Sequence, residues 1–389
     1  MRTVLITGAT GAIGSALARL LLEEETTAVR LVLRARSEGH LQERVRSLLA
    51  FWELAPADPT MSGRLEAFGG DVSQPRLGLE EAAYKQLSGE VTNIIHSAGN
   101  VKLNQSMEDA RRSAVDSTRH ILALADACRE HGRLRKLEFV STVGVAGRWQ
   151  GVVPERPLRE PREFHNTYEA AKAEAEELLL EEMARGLPAT VHRPSMVVGD
   201  SRTGKIIHFQ VFYYLCEFLS GKRTFGIVPD AGDVRLDIIP VDYVASAIQI
   251  SSRREDTAGR ILHLCSGPSH APRITDLAEQ LRKRFTAYGA RLARLRKVPP
   301  GWIRGLLPAI TRVAPRSARR ALESLPFFLA YLDEQQLFDN TRTQAFLAVE
   351  GVAIPRVEEY LDAILRYYWT HRPQSGAKPR SAVGAGGVA

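Results

Sequence analysis

The chain has 389 residues, 44% apolar and 25% charged, with a net charge of +7. That length allows two domains, or one large domain with an appendage, and a core that needs no disulfides. Three widely separated cysteines, Cys128, Cys216 and Cys265, exclude a disulfide framework and a C-x-x-C zinc site and fit a reducing cytoplasm; no apolar run reaches the roughly 18 residues that span a bilayer.

The first predicted element is a strand over 3–7, so close to the initiator Met that no cleavable leader is expected. It runs into Gly8-Ala9-Thr10-Gly11-Ala12-Ile13-Gly14 and a helix over 15–24. A glycine loop between strand and helix is the context of a dinucleotide fingerprint: glycines permit the tight turn and close backbone approach, and the helix start supplies positive potential for a pyrophosphate. A second strand over 29–36 ends in Leu33-Arg34-Ala35-Arg36. An acid for the ribose hydroxyls is the usual residue there for NAD; guanidinium groups suit a 2′-phosphate, which predicts NADP(H).

Further strands end at 65–71, 93–99 and 136–142, with a helix over 116–132 closed by Gly132. A long helix over 168–186, closed by Gly186, precedes a strand and turn over 189–199. Alternation at this spacing predicts a parallel sheet with helices on both faces. After Gly199 the pattern changes to a loop and an aromatic helix over 200–235, whose Phe209, Phe212, Tyr213, Tyr214 and Phe218 suit an acyl pocket or plain helix core. A short strand and helix follow over 235–250, then a last strand over 263–267 and mostly helical chain from 268. The expected architecture is α/β: a doubly wound Rossmann domain over 1–200, to which 235–267 returns, and a smaller, mostly helical substrate region formed by 201–234 and 268–372. The Gly/Ala/Ser/Pro-rich tail over 373–389 is predicted to be disordered.

The chemical signal is Tyr168-x-x-x-Lys172 opening the long helix, with Ser141-Thr142 at the end of the preceding strand. Positions i and i+4 share a helix face. A neighbouring ammonium is expected to lower the phenol's pKa and make Tyr168 an acid/base near neutral pH, while a hydroxyl from the strand end bonds the substrate oxygen. Ten histidines form no H-x-x-x-H pair, so a metal site is not expected. Asp237 and Asp242 read as turn and helix-cap residues.

The glycine loop, Asp71, His96-Ser97-Ala98-Gly99, Ser141-Thr142 and Tyr168/Lys172 occur in the order of the extended short-chain dehydrogenases/reductases, which this chain resembles over about residues 3–265. Arg34-Ala35-Arg36-Ser37, Phe139-Val140-Ser141-Thr142-Val143-Gly144-Val145 and Arg193-Pro194-Ser195-Met196-Val197-Val198-Gly199 narrow the resemblance to the thioester reductase and fatty acyl-CoA reductase branch, the male-sterility type. The resemblance implies that Gly8, Thr10, Gly11, Ala12, Ile13 and Gly14 hold the pyrophosphate and Arg34 and Arg36 the adenosine phosphate. It further implies that Asp71 and Val72 flank the adenine, Ser97, Ala98 and Gly99 line the ribose side, Lys172 holds the nicotinamide ribose, and Pro194, Ser195 and Met196 pass the nicotinamide. Thr142, Tyr168 and Lys172 are the implied catalytic set. One departure is Ala114, which stands where the family usually has an Asn that supports a proton relay.

The charge is local. Twelve Lys/Arg and no Asp or Glu lie between Arg282 and Arg320. A solvated helical face, a docking patch for coenzyme A phosphates or an acyl carrier protein, and an interfacial membrane contact around Trp302, Ile303, Leu306, Leu307 and Ile310 all fit; no motif points to nucleic acid. The function expected is NADPH-dependent reduction of an acyl thioester to aldehyde or alcohol by a cytoplasmic enzyme, possible peripheral membrane contact included. A ketone or aldehyde reductase, a nucleotide-sugar epimerase or dehydratase, and a non-catalytic NADP-binding protein are the alternatives.

Overall fold

The computed structural model describes residues 2–55, 63–222, 224, 226–299, 301–302 and 335–372. Ile303, Leu306, Leu307 and Ile310, the rest of the basic segment to Arg320, and the tail from 373 lie outside them.

Seven parallel strands form the central sheet: β1 (Arg2–Thr7), β2 (Thr27–Leu33), β3 (Leu65–Gly69), β4 (Asn93–His96), β5 (Lys136–Val140), β6 (Ala189–Pro194) and β7 (Ile261–Leu264). Their spatial order is β7-β6-β5-β4-β1-β2-β3. The chain therefore lays β2 and β3 to one side of β1, then crosses to start β4 on the other, pairing Thr7 with both Val32 and His96. Such a switch point opens a crevice at the carboxyl ends of the strands. The strands are near-continuous apolar runs because both faces are covered; every residue of β2 is buried.

Helices α1 (Ala12–Leu22), α2 (Glu38–Trp52), α3 (Glu81–Glu90), α4 (Met107–Arg111), α5 (Ser117–Glu130), α6 (Thr167–Ala184), α7 (Val211–Leu219) and α8 (Val241–Arg253) follow in chain order. Leu87 of α3, Leu124 of α5, and Ala171, Ala175 and Leu179 of α6 share one core. On the opposite face α1, α2, α7 and α8 share a larger core with the helices Ile274–Ala287 and Val357–His371. Phe212, Tyr213 and Phe218 of α7 are buried in it, so these aromatics are helix core, while Tyr214 points outward.

The stretch read as a strand and turn over 189–199 holds two strands. β6 ends at Pro194, the Ser195 amide turns to donate to Leu264 O (3.1 Å), and Met196–Val198 pairs instead with Ile238–Pro240. Asp237 and Asp242 fix this corner: Asp237 accepts from the amides of Ser266 (2.7 Å) and Gly267 (2.8 Å), and Asp242 from the Ser201 amide (2.9 Å). Among the described residues no helix is long and apolar enough to cross a membrane.

Candidate active site

The glycine loop rises from β1 at the switch point. Gly8 has φ +77, and a Cβ there would lie 2.6 Å from the Ala98 amide nitrogen; one on Gly14 would lie 2.3 Å from Gly8 O. These two glycines let loop, α1 and the 97–99 strand end pack backbone to backbone. Thr7 braces the same junction, its Oγ1 contacting His96 Nδ1 (2.8 Å) and accepting from the Ala98 amide (3.4 Å). α1 starts at Gly11 with no side-chain cap and no acid in its first turn. Free amides and the helix dipole face the crevice, a donor set that suits a diphosphate. The residues present therefore fit a dinucleotide.

Arg34 and Arg36 stand exposed just past β2, Arg34 only loosely near Asp71 (3.9 Å). A third cation joins them. Arg44 of α2 reaches back to Arg34 O (2.9 Å) and Thr10 Oγ1 (2.8 Å), and its buried Nε has no partner among the described residues. Burial, then the charge of Arg34, lower its pKa. His208, from the loop after the short strand Met196–Val198, bonds the Thr10 backbone above it. Sequence reading passed over Arg44. The available signal was its place between Leu41 and Leu48, on the buried stripe of an otherwise charged helix. Asp71 folds onto Ser73 (2.8 Å to Oγ), and Val72 O contacts His120 Nδ1 (3.0 Å).

Across the crevice β5 ends at Val140 and α6 begins. Asn166 caps α6 by accepting from the Glu169 amide (3.0 Å), and its Ala-, Glu- and Leu-rich sequence favours the helix. Tyr168, Lys172 and Glu176 fall on one face at successive turns. Tyr168 faces Thr142, whose hydroxyl lowers the phenol's pKa and whose Oγ1 accepts from the Gly144 amide (3.1 Å). Ser141, one residue earlier, turns the other way and donates to Glu176 (2.5 Å). Lys172 is buried, donates to Val140 O (2.8 Å) and lies over the Phe139 ring.

The electrostatics correct one expectation. Burial pushes the Tyr168 phenol up to about 12, only partly offset by the Thr142 hydroxyl. Burial brings Lys172 down to about 8, against the pull of Glu176. The ammonium is tied to a carbonyl and does not acidify the phenol, so Tyr168 is neutral across the physiological range. Ala114 lies in a π turn, Arg112–Asp116, where its carbonyl accepts from Thr118 Oγ1 (2.7 Å) and Ser117 Oγ (3.1 Å).

The family model described as male sterility protein matches residues 6–248. The chain belongs to that family. The isonitrile lipopeptide synthase of Streptomyces coeruleorubidus is 30% identical over 281 residues, 71% of this chain and 18% of the relative. A glycine betaine reductase of Emericella nidulans is 30% identical over 262 residues, 64% of this chain and 19% of the relative. The chain thus spans about a fifth of the length of these curated relatives. Among solved structures, the terminal R domain of the myxalamid PKS-NRPS pathway superposes with a TM-score of 0.77 at 30% identity, covering 95% of this chain and 91% of that one. A thiolation-reductase di-domain from an archaeal non-ribosomal peptide synthetase has the same fold, with a TM-score of 0.74 at 20% identity, covering 95% of this chain and 75% of that one. The male-sterility family is a nicotinamide-cofactor branch of the extended short-chain reductases. Its shared fold places the glycine cradle and the Thr142–Tyr168–Lys172 group on opposite sides of one crevice.

Proposed function

We propose that this chain reduces an acyl thioester to an aldehyde, and onward to an alcohol, with NADPH. The observation that carries the reading is the Thr142–Tyr168–Lys172 constellation at the end of β5, facing a glycine cradle built for a dinucleotide. Gly8 to Gly14 and the α1 amides hold the diphosphate. Arg34 and Arg36, exposed past β2, and Arg44, which bonds Thr10 Oγ1 and Arg34 O, favour a 2′-phosphate over a bare ribose. Ser97, Ala98 and Gly99 line the ribose side, and Pro194, Ser195 and Met196, at the strand break, pass the nicotinamide.

A bound nicotinamide supplies the hydride. Tyr168 and Thr142 hold the substrate carbonyl oxygen, and the protonated phenol delivers its proton as negative charge develops there. Lys172, one turn further along α6, holds the nicotinamide ribose. The resulting hemithioacetal expels the thiol and leaves an aldehyde. The curated relatives include peptide synthases, and a solved relative joins a thiolation domain to its reductase; a carrier-bound thioester is accordingly the preferred substrate class. The exposed basic residues Arg291, Arg294, Arg296 and Lys297 offer such an acidic carrier a complementary surface.

NADPH oxidation with acyl-carrier and acyl-CoA thioesters, ketones and nucleotide sugars tests the reading. Turnover confined to thioesters supports it; turnover of ketones or sugars alone overturns it.

A further inference from the structure

A buried ionic network lies directly behind the constellation. Glu176, one helical turn beyond Lys172, accepts from Arg193 of β6 at Nη2 (2.5 Å) and Nε (3.2 Å). Its other partner is Ser141 at the tip of β5 (2.5 Å). Arg193 in turn donates to Arg156 O (3.1 Å) and His263 Nε2 of β7 (3.2 Å), and His263 Nδ1 faces Asp339 O (2.6 Å). Glu176 and Arg193 are both almost wholly excluded from solvent. A buried charged pair is seldom kept for stability alone, since apolar replacements of equal volume often serve as well.

Glu176 touches both arms of the site. It shares a helix face with Lys172, whose hydrogen-bond acceptor among the described residues, Val140 O, is uncharged. Through Ser141 it grips the residue next to Thr142. We infer that Glu176 is a positioning residue of the reductive site: it supplies the counter-charge for the Lys172 ammonium and pins the strand end that carries Thr142. This rests on the proposed reductase reading for its consequence in catalysis, but not for the electrostatic claim itself.

The groups facing this pair can be named. Lys172 is faced by Tyr168 on its own helix and by His96 of β4, which burial keeps neutral with a pKa of about 3. Glu176 is faced by Arg193 of β6, with His263 of β7 behind it, and at longer range by Arg162 from the segment before α6. Arg193 and Ser141 hold the Glu176 carboxyl below its usual range despite burial, so it is ionised wherever the enzyme works. Among the described residues no other acid faces Lys172, whose pKa burial lowers and Glu176 raises.

The test follows the Lys172 ε-carbon resonance by 13C NMR across pH, assigned with Lys172→Arg, alongside the pH profile of thioester reduction. In Glu176→Gln, Lys172 should lose its proton about one pH unit or more lower. The alkaline limb of kcat should move with it, and Glu176→Asp should restore most of the shift. The single variant leaves Arg193 unpaired, so Glu176→Gln with Arg193→Met is the second probe. It removes both buried charges, yet the nearer, negative one dominates at Lys172, so the downward shift persists. A Lys172 titration unchanged in a folded member of this pair overturns the inference. Absence of thioester turnover by the unmodified chain overturns the reductase reading instead, and leaves the NMR titration to decide this one.

Discussion

The Thr142 hydroxyl lowers the pKa of the Tyr168 phenol across the gap between the tip of β5 and the first turn of α6, against the larger effect of burial. A carbonyl oxygen entering that gap meets two donors already aimed at one point. Tyr168→Phe should lower kcat for thioester reduction by about 10²–10⁴-fold, the usual worth of a positioned acid. NADPH affinity, measured by fluorescence titration, should stay unchanged. Activity within a few-fold of the native chain would place the proton donor elsewhere.

Cofactor choice should separate by residue. Arg34→Ala with Arg36→Ala should weaken NADPH binding roughly 10–100-fold, the worth of charge-assisted hydrogen bonds, and leave NADH nearly untouched. Arg44→Ala should weaken both cofactors, because Arg44 also braces Thr10 in the loop common to both. Equal affinity of the native chain for NADPH and NADH would refute the phosphate role.

Gly14→Ala should abolish binding of either cofactor. Its Cβ would lie 2.3 Å from Gly8 O, backbone against backbone, with no flexible side chain to yield. Calorimetry should show a loss of stability of about 1–3 kcal/mol, as for other overpacked sites. Full cofactor binding by the variant would show that the cradle tolerates being opened.

Acid should destabilise the fold well before the carboxylates titrate. Burial holds His96 and His263 neutral, each with a pKa of about 3 against an ordinary 6.5. Between those values the unfolded chain binds protons that the folded chain refuses. Stability is therefore full above about pH 6.5 and falls as pH drops toward 3, by roughly 1.4 kcal/mol per pH unit for each histidine. Urea midpoints from pH 7 to 5 should show this slope. Half the slope would mean that one ring is protonated in the folded state, and a flat profile that both are.

Docking should respond to charge. Changing Arg291, Arg294 and Arg296 to Glu should raise KM for a carrier-bound thioester and spare a short uncharged one. Added salt should shrink the effect as the Debye length falls from about 10 Å at 0.1 M toward 3 Å at 1 M. An unchanged KM at low salt would leave these residues as a solvated face.

The sheet and the crevice could be read from sequence because their signals are local. The apolar run of β1, the glycines that follow and the Tyr168/Lys172 spacing each state their own geometry. α2 and α3 escaped notice because their apolar stripes are narrow and interrupted by charge; α2 buries only Leu41, Leu48, Leu49 and Trp52. The strand break at Ser195 was marked only by Pro194, a residue that also ends edge strands without redirecting them; what redirects the chain is the tertiary bond from the Ser195 amide to Leu264 O. The sign of the Tyr168 shift depended on burial and on where the Lys172 ammonium points, and neither is written in a four-residue spacing. The roles of Arg44 and Glu176 have the same origin: both are charged residues on buried helix faces, visible only once the partner elements are placed.

The break at Ser195 has a practical side. Val197 and Ile239 are register partners in adjacent parallel strands, so the chain leaves the nucleotide-binding layer and re-enters it at neighbouring positions. Everything between Gly199 and Leu236 is thus a cassette with its two ends on one short ribbon. An exchange of this insert between relatives would have to carry its partners with it, because α7 packs into the core of α1, α2 and α8 and Ile227–Pro229 pairs with Arg296–Val298.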